Sequence, residues 1–241
     1  MVKIGSGKDA QKGVRPEVAG GDVVAAERQD GGVRSKVGRS RSDQRANRQA
    51  QIRGEMSEPP LPRWLRAARG KWSQRGRSLP PFAVRPKENQ ESVWGYPRPP
   101  VLVDDPREVR VVVGGTILAQ TRGALRLLET ASPPTFYIPS DDVDLSCLRK
   151  AQRGSFCEWK GNAAYFDVVT PGRTVSRAAW AYLTPFESFA AIARHLSFYP
   201  GRVECWVSGE RARPQPGGFY GGWVTDEVVG PFKGQSGTQG W

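Results

Sequence analysis

From Glu108 onward, apolar and polar side chains alternate in short runs bounded by glycine and proline, the period of strands in a sheet. Glu108–Val113 is β-branched and nearly alternating, which predicts a strand. Gly114-Gly115 follows, a pair that can take the two positive φ angles of a tight hairpin, and Thr116–Thr121 returns as the partner. Leu125–Thr130 fits strand and helix equally, and Ser132-Pro133-Pro134 is expected to stop it. Thr135–Ile138 reads as a short strand, and Ser140-Asp141-Asp142 as the N-cap of one helical turn reaching Leu148. Ser155–Trp159 and Asn162–Thr170 predict a second hairpin, split at Lys160-Gly161.

After the turn at Pro171-Gly172, Val175–Tyr182 reads as a strand or an irregular aromatic segment. Pro185–His195 carries the clearest helical stripe, with Phe186, Phe189, Ala190, Ile192 and Ala193 apolar. Arg202–Val207 predicts a strand and Ser208-Gly209-Glu210 a turn. The last residues are rich in Gly and Pro yet hold Phe219, Tyr220, Trp223, Phe232 and Trp241, so a tail wrapped onto the domain is expected. Trp94–Pro100 reads as an extended aromatic arm. The pattern thus predicts a mainly β domain over residues 91–241 (α+β by strict count), small and antiparallel, with one or two short helices.

The first 55 residues break this pattern. They contain no Trp, Phe, Tyr or Leu, so they bury too little apolar surface to offset a backbone entropy of roughly 1–2 kcal/mol per residue. They are expected to form a disordered basic leader. Met56-Ser57-Glu58-Pro59-Pro60 has the form of an ordinary start, which makes Met1 a candidate misplaced one. Residues 56–90 read as a basic, Pro-rich linker with a short helix over 62–76, where Trp64, Leu65, Ala68 and Trp72 recur at helical spacing among arginines. Two readings fit this stretch. One is a basic amphipathic helix for an anionic membrane or nucleic acid; the other, favoured because Gly70 weakens so short a helix, is a tail that docks two aromatic residues on the domain.

Charge changes the picture less than its total of +12 suggests. Residues 1–55 carry +5, residues 56–90 carry +6, and residues 91–241 only +1. Contact with nucleic acid or an anionic membrane is therefore expected only through the basic leader, not the near-neutral domain. The absence of a long apolar run excludes a membrane-spanning helix, and no secretory pattern opens the chain. Three scattered cysteines, Cys147, Cys157 and Cys205, argue against a disulfide framework and for a reducing, cytoplasmic setting.

Candidate chemistry is sparse. No phosphate-loop, nucleotide-binding or hydrolase-elbow motif is present. The cysteines and His195 lack close ligand pairs, so no metal site and no cofactor are expected. His195 is the lone histidine and the one side chain suited to proton transfer near neutrality; a packed, hydrogen-bonded residue is the commoner role for such a histidine. In an unbroken strand, Cys157 and Lys160 would point to opposite faces, which weakens any pairing between them. Aromatic density is the more specific feature. Trp159, Tyr165, Phe166, Trp180, Tyr182, Phe198 and Tyr199 crowd into a short span, as core or as walls of a pocket for a flat ligand.

Several of these residues form recognisable groups. Phe156-Cys157-Glu158-Trp159-Lys160-Gly161, Ala164-Tyr165-Phe166-Asp167, Ala179-Trp180-Ala181-Tyr182, and Ile192, His195, Phe198 and Tyr199 together resemble the bacterial family of domain of unknown function 427. Glu91–Trp94, Leu128–Thr130, Tyr137–Pro139 and Gly217–Trp223 resemble members with extended arms, so the likeness runs over about residues 91–241. It implies a small β-tent-like fold, similar to B-type methionine sulfoxide reductases and the drug-binding domain of cereblon. The family has also carried a nucleotidyltransferase-like label, but no acidic metal-binding pair stands at a matching spacing. The paired Cys-x-x-Cys zinc ligands of many β-tent relatives are missing too.

Three functions remain open. The first is a small-molecule binding domain with Trp159, Tyr165, Trp180 and Tyr182 as stacking walls and Lys160 and His195 as polar anchors. The second is an enzyme in the same pocket, with His195 as general acid or base, Lys160 stabilising an anion, and Glu129 or Asp167 orienting a partner. The third is an interaction module that uses the basic tail.

Overall fold

The computed structural model describes residues 61–238 and 241. The expected disordered leader, residues 1–55, lies outside them. Helix α1 spans Arg63–Gly70. Strands β1 (Glu91–Ser92), β2 (Val101–Asp105), β3 (Val109–Val113), β4 (Thr116–Thr121), β5 (Ala124–Glu129) and β6 (Ser132–Pro139) follow. Then come β7 (Leu148–Lys150), β8 (Ser155–Cys157), β9 (Gly161–Thr170), β10 (Arg173–Ala181) and β11 (His195–Phe198). The chain closes with β12 (Glu204–Val207), β13 (Glu210–Arg211), β14 (Arg213–Pro214), β15 (Trp223–Val224) and β16 (Val228–Val229). The architecture is mainly β, as the pattern predicts. Among the described residues, no helix is long and apolar enough to cross a membrane.

An eight-stranded sheet runs in the order β2-β5-β6-β11-β10-β9-β7, with β8 also on β9. A second sheet runs β13-β12-β3-β4. Its β3–β4 hairpin turns at Gly114 and Gly115, both at positive φ. The strict period of two divides the large sheet between two packings. Phe136, Ile138, Ala179, Ala181, Leu196 and Phe198 join Val109, Val111 and Leu118 of the smaller sheet in one core. The intervening Tyr137, Trp180 and Tyr182, with Leu127, Ala163 and Tyr165, face the other way into a separate aromatic cluster.

One open local reading is settled and three expectations are revised. Leu125–Glu129, open between strand and helix, is strand, and Ser132-Pro133-Pro134 begins β6 instead of stopping the chain. The prolines are tolerated because the β5–β6 register shifts between Leu127 and Glu129, leaving no ladder bond for them to donate. Ser140 does not cap a helical turn reaching Leu148. Two 3-10 turns, Ser140–Asp142 and Leu145–Cys147, are separated by extended Val143, which bridges to Ala119. Pro185–His195 is not an α-helix: only Glu187–Ile192 turns, as 3-10, and Phe189 has non-helical angles. Phe186, Phe189 and Ile192 recur every three residues, the period of a 3-10 turn. His195 leaves the turn altogether and opens β11.

The flanks are packed rather than loose. Trp94 is fully buried with Val93, Tyr96, Ala131 and Val228. Strands β1 and β16 pair in parallel, tying the arm to the tail. Arg126 bridges Glu91 and Glu227 in the same region. Within the stretch read as a linker, α1 buries Leu65, and Trp72 docks on the domain. Trp64 stays 57% exposed, with its ring 5.2 Å from that of Phe156.

Candidate functional site

On the aromatic face of the large sheet lies a cavity of about 290 Å³. Cross-strand pairing builds its floor. Tyr165 of β9 lies beside Trp180 of β10, which lies beside Ser197 of β11. Tyr137 of β6 and Leu127 of β5 extend the floor, and Glu129 stands at its edge. Trp159 and Lys160 enter from the turn between β8 and β9. Ser155 and Tyr165 share a hydrogen bond of 2.8 Å, and Tyr199, its ring 4.5 Å from Trp180, donates to the Phe219 carbonyl at 3.3 Å.

The other walls come from the flanks. Trp72 donates its Nε1–H to Glu158 at 2.7 Å, and Arg69 donates to the Glu158 carbonyl at 2.7 Å. Buried Arg98 lies 4.7 Å over the Trp72 ring, donates to the Gln74 and Thr130 carbonyls, and faces Glu129 at 3.5 Å. From the tail, Lys233 places its amine 3.6 Å over Trp72 and 4.8 Å from Tyr220. Its position is fixed from both sides: its N–H donates to the Ala131 carbonyl at 2.7 Å, and its carbonyl accepts from Gln215 at 2.7 Å. Next to it, Gly217 and Gly234 approach so closely that a Cβ on either would collide with the other strand's backbone, and both have positive φ.

The two amines differ in electrostatics. Burial opposes charge on Lys160, but Cys157, Tyr137 and Glu129 favour it and hold the amine above the ordinary lysine value. For Lys233, burial dominates and lowers the amine to about 8, with Glu129 pulling upward and Arg98 downward. Burial also pushes the Tyr137 phenol up to about 12, so it remains a neutral hydrogen-bonding group. Among the described residues, no three of His, Cys, Asp and Glu gather as a metal site.

Residues 101–209 match the family described as Domain of unknown function (DUF427). That stretch is narrower than the span of the resemblance in the sequence, but it is the same family. No curated protein matches the chain. The DUF427 stretch provides Glu129, Tyr137, Trp159, Lys160, Tyr165, Trp180 and Tyr182. Lys71, Trp72, Gln215, Phe219, Tyr220, Gly221 and Lys233 lie outside it.

Of the residues singled out in the sequence, Glu129, Trp159, Lys160, Tyr165, Trp180 and Tyr182 line this same cavity. His195 does not. It opens β11 opposite Pro139, two residues before Ser197, and so projects one pleat further along the sheet. It is half-buried, its Nδ1 has no partner, and burial lowers its pKa. Asp167 lies on the far part of β9, bound to Arg149, Ser176 and the Arg177 N–H. The expected acid–base group of His195, Lys160 and Glu129 or Asp167 therefore does not assemble around the cavity. Conversely, Cys157 and Lys160 do meet, because Glu158–Lys160 is a turn and not a continuous strand. Trp72 and the tail aromatics were visible as docking elements, but Lys233 carried no signal in its Gly-rich surroundings.

Proposed function

We propose that this protein binds a small molecule with a flat ring in the aromatic cavity of its DUF427 stretch and flanking arms. One observation carries the reading: a hollow of about 290 Å³ remains where Tyr137, Trp180 and Tyr182 of the large sheet meet Trp72 and Tyr220 of the flanks. The size suits a ligand of one or two rings, and aromatic walls with a few polar groups are the usual composition of such sites. The β-tent likeness, which includes a drug-binding domain, belongs to the same proposal. An enzyme reading has less support, since the lone histidine is not at the cavity.

A thermal-shift screen of the full chain against small aromatic compounds tests this. A ligand at about 100 times its Kd stabilises by roughly 2.7 kcal/mol. The shift is expected to vanish in Trp180→Ala and to persist in Trp206→Ala, since Trp206 lies on the strand of the smaller sheet whose Cys205 and Val207 turn to the core. A shift lost equally in both variants, or kept in both, contradicts the site.

A further inference from the structure

Two ammonium groups and an indole N–H at the cavity lack acceptors of matching charge or geometry. Lys160 and Lys233 are each 5% exposed, and among the described residues neither forms a salt bridge. Lys160 meets the Cys157 thiol and the faces of Tyr182 and Phe189 at 5.7 and 5.8 Å. Lys233 meets the faces of Trp72 and Tyr220. The buried Nε1–H of Trp159, which lines the same cavity, has no partner.

The carboxylates at the cavity are engaged elsewhere. Glu129 faces Arg98, whose side chain is 0% exposed, and Glu158 accepts from Trp72. Buried cations without counter-ions are costly, and ring faces recover only part of that cost. A bound anion would supply both the missing countercharge and the missing acceptor oxygens. The aromatic walls would take the rest of such a molecule by stacking.

We propose that the cavity takes a flat organic anion, an aromatic carboxylate or aryl phosphate, whose charged group is met by Lys160 and Lys233. This deepens the ligand-binding reading above and rests on it. Lys233 gives it a pH signature. The charged and titratable groups facing its amine are Glu129, Glu158, Arg98, Lys71 and Tyr220; burial outweighs them and brings the amine to about 8. An anion is held by the ammonium form, so affinity falls as pH rises through that value, while Lys160 stays charged.

Calorimetric titration of the full chain with benzoate, phenyl phosphate and neutral benzamide tests the proposal. Near neutral pH, at least one anion should bind about tenfold or more tighter than benzamide, the scale of one charge-assisted hydrogen bond. In the unmodified protein that preference should shrink by about tenfold between roughly pH 7 and pH 9.5, which requires no variant to fold. Lys233→Met should bind the anions with little pH dependence. Benzamide binding as tightly as both anions, or an anion preference unchanged by pH and by Lys233→Met, overturns the anion assignment and leaves the ligand-binding reading standing. Binding of none of the three overturns both.

Discussion

The two faces of the large sheet are made by the same strands, yet they solve packing differently. On one face, Phe136, Ile138, Ala179, Ala181 and Phe198 meet the valines of the smaller sheet, small residues opposite large ones, in one apolar core. On the other, Tyr137, Tyr165, Trp180 and Tyr182 stand side by side, and among the described residues no second large sheet covers them. Trp72 and the tail cover them instead, touching at a few points and leaving a cavity. A sheet closed by another sheet packs along its whole length, whereas a sheet closed by arms packs only where the arms cross. Rigid rings set the walls, and the arms set what lies between them.

Substitutions that test each face should separate stability from binding. Phe198→Ala, on the closed face, is expected to cost roughly 3–5 kcal/mol in urea titration, through lost burial and a new void. Trp180→Ala should cost less, because the ring already borders a hollow, but should abolish ligand binding. Equal stability losses would break the contrast between the faces.

Lys233 offers a pH test of the arm-covered face. Its amine is lowered by burial to about 8, from an ordinary value of 10.5. The unfolded chain therefore binds more protons between these values, and folding stability should rise with pH across about 8 to 10. The neutral amine's advantage is complete above the ordinary value and is lost as pH falls through about 8. Tyr137, pushed up to about 12, limits the gain, since unfolding frees its phenol to ionise above about pH 10. Comparison of chemical denaturation at pH 7.5 and 9.5 should show a gain of roughly 2 kcal/mol in the unmodified protein and little in Lys233→Met. A flat profile in both would mean the amine is not held in an apolar setting.

Smaller effects sharpen the same division. Gly221 presses on the Trp180 ring so closely that an added Cβ would overlap it. Gly221→Ala should lower stability by about 1–3 kcal/mol and weaken ligand binding, because the arm must lift from the cavity. The Arg213–Asp226 pair, 2.7 Å long with an Asp226 side chain 80% exposed, marks the low end. Asp226→Asn should change stability by less than about 1 kcal/mol and leave binding unchanged, as measured by thermal melts with and without ligand.

Much of the double-faced sheet is legible in the residues. Ala179-Trp180-Ala181-Tyr182 alternates small with aromatic side chains, and the cavity-floor residues Tyr165, Trp180 and Tyr182 stand out as a group before any fold is known. The hairpin at Gly114-Gly115 is equally plain, because few other residues take two positive φ angles in succession. Other parts depend on contacts distant in the chain. Pro133 and Pro134 enter a strand only because a register shift spares their missing N–H groups. His195 falls outside the cavity because Phe189 leaves helical geometry and the chain turns into β11. Lys233 gains its role from Trp72, more than a hundred residues earlier, and no local pattern encodes that meeting.

The tryptophans themselves provide the most direct test, since they report on both kinds of packing at once. Trp72, Trp159 and Trp180 line the cavity, whereas Trp94 and Trp223 are buried in the other two cores and Trp206 lies on the smaller sheet. Indole N–H signals can be followed by two-dimensional NMR while benzoate is titrated to saturation. Shifts confined to Trp72, Trp159 and Trp180, with Trp94, Trp206 and Trp223 unmoved, are the predicted result. Unmoved signals from the first three, or shifts centred on the second three, would contradict it.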